Sequence, residues 1–292
     1  MDNVIGTENG RSGDTGRGSG QADRQMKRVL VTGAAGGMGR ETVKVLADGG
    51  YFVYALDRVP SPERENVRSI TVDLASPESV AAAFDTVRAD TDGLDAVIHF
   101  AGIYLLDSLI EIDPADFERI FRINLGGAYL VNRTFRPLLS EGSSILMITS
   151  ELAVRDPLPF TGIYAIAKSA LDRYAYSLRM ELQLSGINVS VIRAGAVDTG
   201  MISESTRQLD AFCERTALYT PNAARFRRIV DSVEARKVPP EKIARKVKKI
   251  LGSRRPRFAY SINRNPLLIL FDALPARLRF FIIKKILGGG KR

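Results

Sequence analysis

Arg28-Val29-Leu30-Val31-Thr32-Gly33-Ala34-Ala35-Gly36-Gly37-Met38-Gly39 is the stretch whose reading decides the fold. A short, β-branched apolar run ends in a glycine-rich turn, and residues 40–48 (RETVKVLAD) then read as a helix stopped by Gly49-Gly50. The same alternation repeats outward along the chain. Strands are predicted over 51–56, 68–72, 94–100, 144–149 and 187–192, and helices over about 77–89, 114–138 and 163–185. Ser76 is the N-cap of the helix at 77, with Pro77 in its first position. Ser79 stands where an acid or Gln would complete a capping box. Strands separated by helices of ten residues or more specify βαβ units, and near-continuous apolar strands fit a sheet covered on both faces. With right-handed crossovers this is a doubly wound α/β parallel sheet of the Rossmann type, binding its ligand beyond the carboxyl ends of the strands.

The turn after the first strand fits that placement. Gly33, Gly37, Met38 and Gly39 let the backbone approach a pyrophosphate, and the following helix offers unpaired N–H groups and a favourable dipole. Asp57 closes the second strand 18 residues after Gly39, where a carboxylate accepts bonds from ribose hydroxyls and repels a 2′-phosphate. Arg58 beside it offsets part of that repulsion. NAD(H) is the expected cofactor, with NADP(H) the alternative.

Tyr164 and Lys168 lie four residues apart on a predicted helix and so share a face. A neighbouring ammonium and the positive nicotinamide ring favour phenolate and draw the tyrosine pKa down toward the range useful for a general base. Lys168 can also hydrogen-bond the nicotinamide ribose. Ser150 ends the fifth strand fourteen residues earlier, and its hydroxyl can hold a substrate oxygen while charge develops there. Asn124 sits within a predicted helix, where an amide is disfavoured.

In this order and spacing the chain resembles the short-chain dehydrogenase/reductase family, from about Lys27 to Met201. The resemblance rests on Thr32 to Gly39, Asp73-Leu74, Ala101-Gly102, Asn124, Ser150, Tyr164-x-x-x-Lys168 and Gly195 to Thr199. It implies Ser150, Tyr164 and Lys168 as the catalytic set, with Asn124 kinking its helix and holding a water in a proton relay. It further implies Asp73 and Leu74 at the adenine, Ala101 and Gly102 beside the adenosine ribose, and Gly195, Val197 and Thr199 near the nicotinamide. Gly36 stands where NADP-using members often carry Arg or Lys. Three departures stand out. His99-Phe100 replaces a pair of asparagines, making His99, the single histidine, a structural substitute. Ala194-Gly195 replaces Pro-Gly. The Ser150–Tyr164 interval is one residue longer than is commonest, so the loop at 151–162 is expected to bulge, with Thr149 a weaker candidate for the Ser150 role.

Length and composition set the rest. Residues 1–25, rich in Gly, Ser and Thr and without an apolar run, read as a disordered tail rather than a signal peptide. Residues 26–251 form the oxidoreductase domain, its substrate loop at about 200–236, and 252–292 a basic, apolar extension. A single cysteine, Cys213, excludes an internal disulfide and fits the cytoplasm. No metal-ligand pattern is present. Met201, Leu209, Phe212, Tyr219 and Phe226, with Leu152, Val154, Leu158 and Phe160, suggest an apolar pocket for a lipophilic secondary alcohol or ketone such as a steroid, retinoid or fatty derivative.

From Arg236 onward there are 17 Lys/Arg against Glu241 and Asp272, so within a net charge of +9 the remainder is acidic. Residues 276–287 (ARLRFFIIKKIL) read as a basic amphipathic helix. Peripheral membrane contact through 264–292 is expected, against the rival that this extension packs on the protein. Nucleic-acid binding lacks a recognisable module and interleaved aromatics. Apolar residues on the helix at 163–185, among them Leu171, Tyr174, Leu178 and Leu182, point to a homodimer or homotetramer. Two other readings remain. One is a non-catalytic dinucleotide sensor or membrane-associated scaffold, permitted by the altered 99–100 pair and the basic tail. The other is a sugar-nucleotide epimerase, disfavoured by the glycine spacing.

Overall fold

A computed structural model describes residues 26–233 and 237–288, with the side chains of 202, 203 and 231–233 left aside. The tail expected over 1–25 and the last four residues of the extension lie outside it.

Seven strands form one parallel sheet: β1 (Arg28–Thr32), β2 (Phe52–Asp57), β3 (Val67–Thr71), β4 (Ala96–His99), β5 (Ser144–Ser150), β6 (Asn188–Ala194) and β7 (Ala259–Ile262). Their order across the sheet is β3-β2-β1-β4-β5-β6-β7, reversing direction between β1 and β4. Successive side chains alternate between two cores. Leu30, Val97, Ile145 and Met147 face α2 (Pro77–Arg88), α4 (Gly127–Phe135) and α5 (Gly162–Leu182). Val29, Val31, Ile98, Leu146 and Ile148 face α1 (Gly37–Ala47) and α8 (Pro240–Leu251). Both faces are dry, so the strands carry no polar alternation. The Ser76 hydroxyl accepts the Ser79 N–H at 3.1 Å, capping α2 without a box.

Several boundaries differ from the sequence reading. Helix α1 begins at Gly37, three residues early, because the glycine turn itself supplies its first turn. The helix expected over 114–138 is broken in two. After α3 (Pro114–Phe121) comes a π-helical turn over Arg122–Gly126, with buried Asn124 at its centre, before α4 resumes. Past residue 251 the sheet gains one more strand, β7. It is only four residues long, and the parallel β6 that selects it is distant in sequence. Beyond β6, α6 (Gly200–Arg215) and α7 (Thr220–Val233) cross the carboxyl edge of the sheet. Beyond β7 come α9 (Pro266–Asp272) and α10 (Ala276–Gly288).

His99 takes the bracing role expected of it. Its Nε2 lies 2.9 Å from Asn132 Oδ1 and its Nδ1 3.4 Å from the Thr32 hydroxyl. Asn132 in turn donates to the Tyr174 hydroxyl at 3.3 Å. One buried chain of hydrogen bonds therefore joins β1, β4, α4 and α5. Burial pushes the imidazole pKa down to about 4 from 6.5, against a smaller opposing effect of Asn132. The unfolded chain therefore binds a proton at higher pH than the folded one, and stability falls as pH drops from about 6.5 toward 4. The difference amounts to roughly 3 kcal/mol. Urea titrations across that range should show this loss in the wild type, and His99→Asn should flatten it.

Candidate active site

Two adjoining clefts open at the carboxyl ends of the strands, separated by Met38, Tyr104, Thr199 and Met201, which line both. The first, about 550 Å³, lies at the β1/β4 reversal and is bordered by Gly33, Gly37, Met38, Gly39, Asp57, Arg58, Asp73, Leu74, Ala101 and Gly102. Gly33 adopts φ +70°, and a Cβ there would sit 2.5 Å from the Ala101 backbone nitrogen. Only glycine permits both the left-handed turn and that approach. Asp57 accepts the Ala35 N–H at 3.0 Å and the Val59 N–H at 3.2 Å, which ties the end of β2 to the glycine turn. Asp73 is fixed similarly, accepting the Ala75 N–H at 2.9 Å. A groove that joins a helix N-terminus to a carboxylate at the second strand end suits a dinucleotide, with pyrophosphate at the former and ribose at the latter.

The second cleft, about 250 Å³, is mainly apolar, with Leu152, Leu158, Phe226, Ile229 and Leu268 among its walls. Ser150 and Tyr164 lie in it. β5 delivers Ser150 at its last residue, and the first turn of α5 delivers Tyr164. The Ser150 hydroxyl is near enough to the Tyr164 phenol to ease its ionisation. Ser150 also accepts the Leu152 N–H at 3.1 Å.

Lys168 and Asn124 sit behind these groups. A Cβ on Gly102 would lie 3.0 Å from Asn124 Oδ1 and 3.3 Å from Lys168 Nζ, so the amide and the ammonium are neighbours beneath the β4 turn. Asn124 accepts from Ile103 N–H at 2.7 Å and donates to Ile103 C=O at 3.0 Å. Its side chain thus clamps the strand end, and the π-turn is what aims it there. Lys168 donates to Ile148 C=O at 3.2 Å, with Nζ 5.8 Å from the Tyr164 ring centre.

Burial dominates the titration of this pair. Burial raises the Tyr164 phenol well above its ordinary value, Tyr104 adds to the rise, and the Ser150 hydroxyl opposes it. Burial also lowers Lys168 to about 8. Desolvation opposes charge on either partner, and at this separation it outweighs their mutual attraction.

Other expected residues fall as follows. Gly195 and Val197 border the apolar cleft rather than the glycine-lined one, and Thr199 borders both. Thr149 is excluded from the Ser150 role, because its hydroxyl donates to buried Asp172 at 3.1 Å. Asp172 is held from its other side by Arg193 in a two-pronged pair at 3.0 and 2.8 Å. The bulge expected between Ser150 and Tyr164 appears as a 3₁₀ turn at Glu151–Val154 and as φ +67° at Phe160. That left-handed residue costs about 1–2 kcal/mol. Its ring offsets the cost by packing against Phe212, Tyr219 and Phe226 at 4.6–5.4 Å.

Two features escaped sequence reading. Tyr104 stacks on Tyr164 with ring centres 4.8 Å apart, and its one signal was its position just past Ala101-Gly102. Residues 263–266 and Leu268, from the segment read as an extension, wall the apolar cleft. This wall leans on Gly195, where a Cβ would fall within the Asn263 carbonyl.

The sequence profile described as short chain dehydrogenase matches residues 27–210. The chain belongs to the short-chain dehydrogenase/reductase family, oxidoreductases whose fold binds NAD(P)(H). It is similar to the uncharacterized oxidoreductase YbbO of Escherichia coli (strain K12), 33% identical over 90% of this chain and 95% of the relative. Its fold matches a short chain dehydrogenase of Burkholderia cenocepacia in complex with NADP (TM-score 0.68, 21% identity, 88% of this chain and 96% of the other). It also matches the NADH complex of a 3-ketoacyl-(acyl-carrier-protein) reductase from Brucella melitensis (TM-score 0.67, 22% identity, 81% and 96%).

Gly195→Ala should force β7 and the wall at Asn263 to Pro266 outward. A loss of about 1–3 kcal/mol, typical of overpacking, is expected in thermal or urea unfolding. An unchanged midpoint would show that the wall yields freely.

Proposed function

We propose that the protein transfers a hydride between NAD(H) and a lipophilic secondary alcohol or ketone, with Tyr164 as the acid/base. The observation that carries this reading is the Tyr164–Ser150 hydroxyl pair within an apolar pocket that adjoins the glycine-lined cleft. A bound nicotinamide supplies or accepts the hydride; the remaining chemistry belongs to the chain. Ser150 holds the substrate oxygen, and Tyr164 exchanges a proton with it. Lys168, the buried cation behind them, supports the phenolate form and reaches toward the cofactor ribose. Asn124 acts as a positioning residue, because both polar atoms of its side chain are occupied by Ile103.

Gly33, Gly37, Met38 and Gly39 would hold the pyrophosphate, Asp57 and Arg58 the ribose, and Asp73, Leu74, Ala101 and Gly102 the adenosine half. Gly195, Val197 and Thr199 would close over the nicotinamide. Support for NAD over NADP comes from Asp57. Its carboxylate is fixed in the cleft by two backbone amides and would meet a 2′-phosphate with like charge.

Homo-oligomer formation through α5 is part of the same reading, with one revision. Leu171 is buried, and Tyr174, Leu178 and Leu182 pack against the core. The exposed large apolar residues on this helix are instead Ile166, Tyr176 and Met180. Peripheral membrane contact through 264–288 is supported by exposed Leu267, Leu270 and Phe281. Among the described residues no helix is long and apolar enough to cross a membrane. The sensor or scaffold reading finds less support, since a sensor needs no buried Ser–Tyr hydroxyl pair beside a substrate-sized cavity.

Tyr164→Phe should leave NAD affinity within twofold by fluorescence titration and reduce turnover of lipophilic alcohols by about 10²–10⁴-fold. Unchanged turnover would remove Tyr164 from the mechanism. Asp57→Ala should raise kcat/KM for NADP relative to NAD, read at 340 nm with the two cofactors in parallel. A ratio that does not move would place the discrimination elsewhere.

A further inference from the structure

We infer that α9 and α10 dock on an anionic bilayer, and that the substrate is a membrane-resident long-chain ketone or alcohol taken directly from the lipid through the wall formed by α9. This deepens the proposed alcohol/ketone reaction and rests on it for the chemistry.

Helix α9 has two working sides. Pro266 and Leu268 line the apolar cleft that holds Ser150 and Tyr164. Leu267 and Leu270, three residues apart and hence on one face, are 65% and 66% exposed. The same short helix thus walls the pocket and presents apolar side chains to the outside. Helix α10 continues that exposure with Leu278, Phe280 and Phe281, while Leu287 anchors its far end against Leu106, Phe212 and Phe226. The Leu287 carbonyl accepts from Asn222 and Arg225 of α7, each at 2.7 Å. The hairpin is therefore held in place with its large apolar side chains turned outward, an arrangement that calls for an apolar partner.

Charge identifies the partner. Asp272 is the one acid between residues 264 and 288, and it is paired with Arg155. Arg264, Arg277, Lys284 and Lys285 leave the surface cationic. A second copy would bring the same charges against it, whereas anionic headgroups complement it.

Pocket size identifies the substrate. About 250 Å³ is below the 300–1,000 Å³ usual for enclosing a whole drug-sized ligand. A long-chain ketone can place its carbonyl at Ser150 and Tyr164 only if the rest of the chain extends out of the pocket, and α9 is the wall with exposed apolar side chains on its other side.

The pocket is also tied mechanically to this surface. Glu151, next to Ser150, accepts the Asn265 N–H at 2.9 Å at the start of α9. Arg155 of the same loop pairs with Asp272 at the end of α9, and Arg279 of α10 pairs with Asp156. Docking of the hairpin therefore bears on the segment that carries Ser150.

The test uses the full chain and Leu267→Glu/Leu270→Glu/Phe281→Glu, which alters exposed positions outside the cleft lining. Flotation with phosphatidylcholine vesicles containing phosphatidylglycerol should carry the wild type, weakly so at high salt or with pure phosphatidylcholine. The variant should float at least tenfold less, with its thermal midpoint unchanged. A long-chain ketone embedded in those vesicles should be reduced at least tenfold more slowly by the variant, and a short water-soluble ketone at a rate within twofold of wild type. Failure of the wild type to float, or equal vesicle-borne turnover by both proteins, would overturn the inference. A wild-type dimer that dissociates in the variant, without vesicle binding, would assign the surface to a second copy. No turnover of either ketone by a floating wild type would instead sink the alcohol/ketone reading.

Discussion

The close approach of the β1 turn to the end of β4 is the constraint on which the rest of the site depends. Gly33 in a left-handed conformation lets the chain fold back against Ala101. This leaves the N-terminus of α1 directed into the crevice at the sheet's reversal. Everything that borders the first cleft is positioned from that contact. Asp57 is tethered to Ala35 of the same turn, and Ile103, just past Ala101, is clamped by Asn124. The crevice is not a gap left between packed elements; it is a surface whose backbone is fixed on both sides.

Buried polar groups then keep the carboxyl ends of the strands in register. The Thr32–His99–Asn132–Tyr174 chain spans the interior from β1 to α5. The Thr149–Asp172–Arg193 cluster joins β5, α5 and β6 one strand over. Each would be costly if half-satisfied and is rigidifying when complete. Beside them lie Ser150, Tyr164 and Lys168, and burial disfavours charge on the phenol and on the ammonium. Desolvation thus gives this region two effects at once: it holds side chains in one geometry, and it leaves the phenol reluctant to ionise until positive charge arrives.

The C-terminal segment connects the site to the outside. In primary structure it reads as an appendage, yet β7 extends the sheet, Asn263 to Pro266 and Leu268 wall the pocket, and Leu287 closes the core beneath α6 and α7. The two rival readings of this segment are therefore compatible. It packs on the protein through one set of side chains and presents another set outward.

Local physics made much of this legible in the sequence. The β-branched runs, the glycine turn, the Ser76 cap and the four-residue spacing of Tyr164 and Lys168 depend on neighbours within a turn or two, so periodicity and propensity report them directly. The same holds for Asp57 at a strand end, and for the expectation that His99 braces rather than reacts. What escaped depends on contacts distant along the chain. β7 is a four-residue strand selected by pairing with β6, and no local pattern distinguishes it from a loop. The kink at Asn124 was expected, but its form as a π-turn and its partner Ile103, 21 residues away, were not. Tyr104 against Tyr164 and the protonation preference of that phenol are products of burial, which only the packed chain creates. The sequence by itself determined the fold class and singled out the candidate side chains of the site. The tertiary structure decided their electrostatic state and which segments enclose them, because desolvation and long-range pairing arise only once distant residues share one interior.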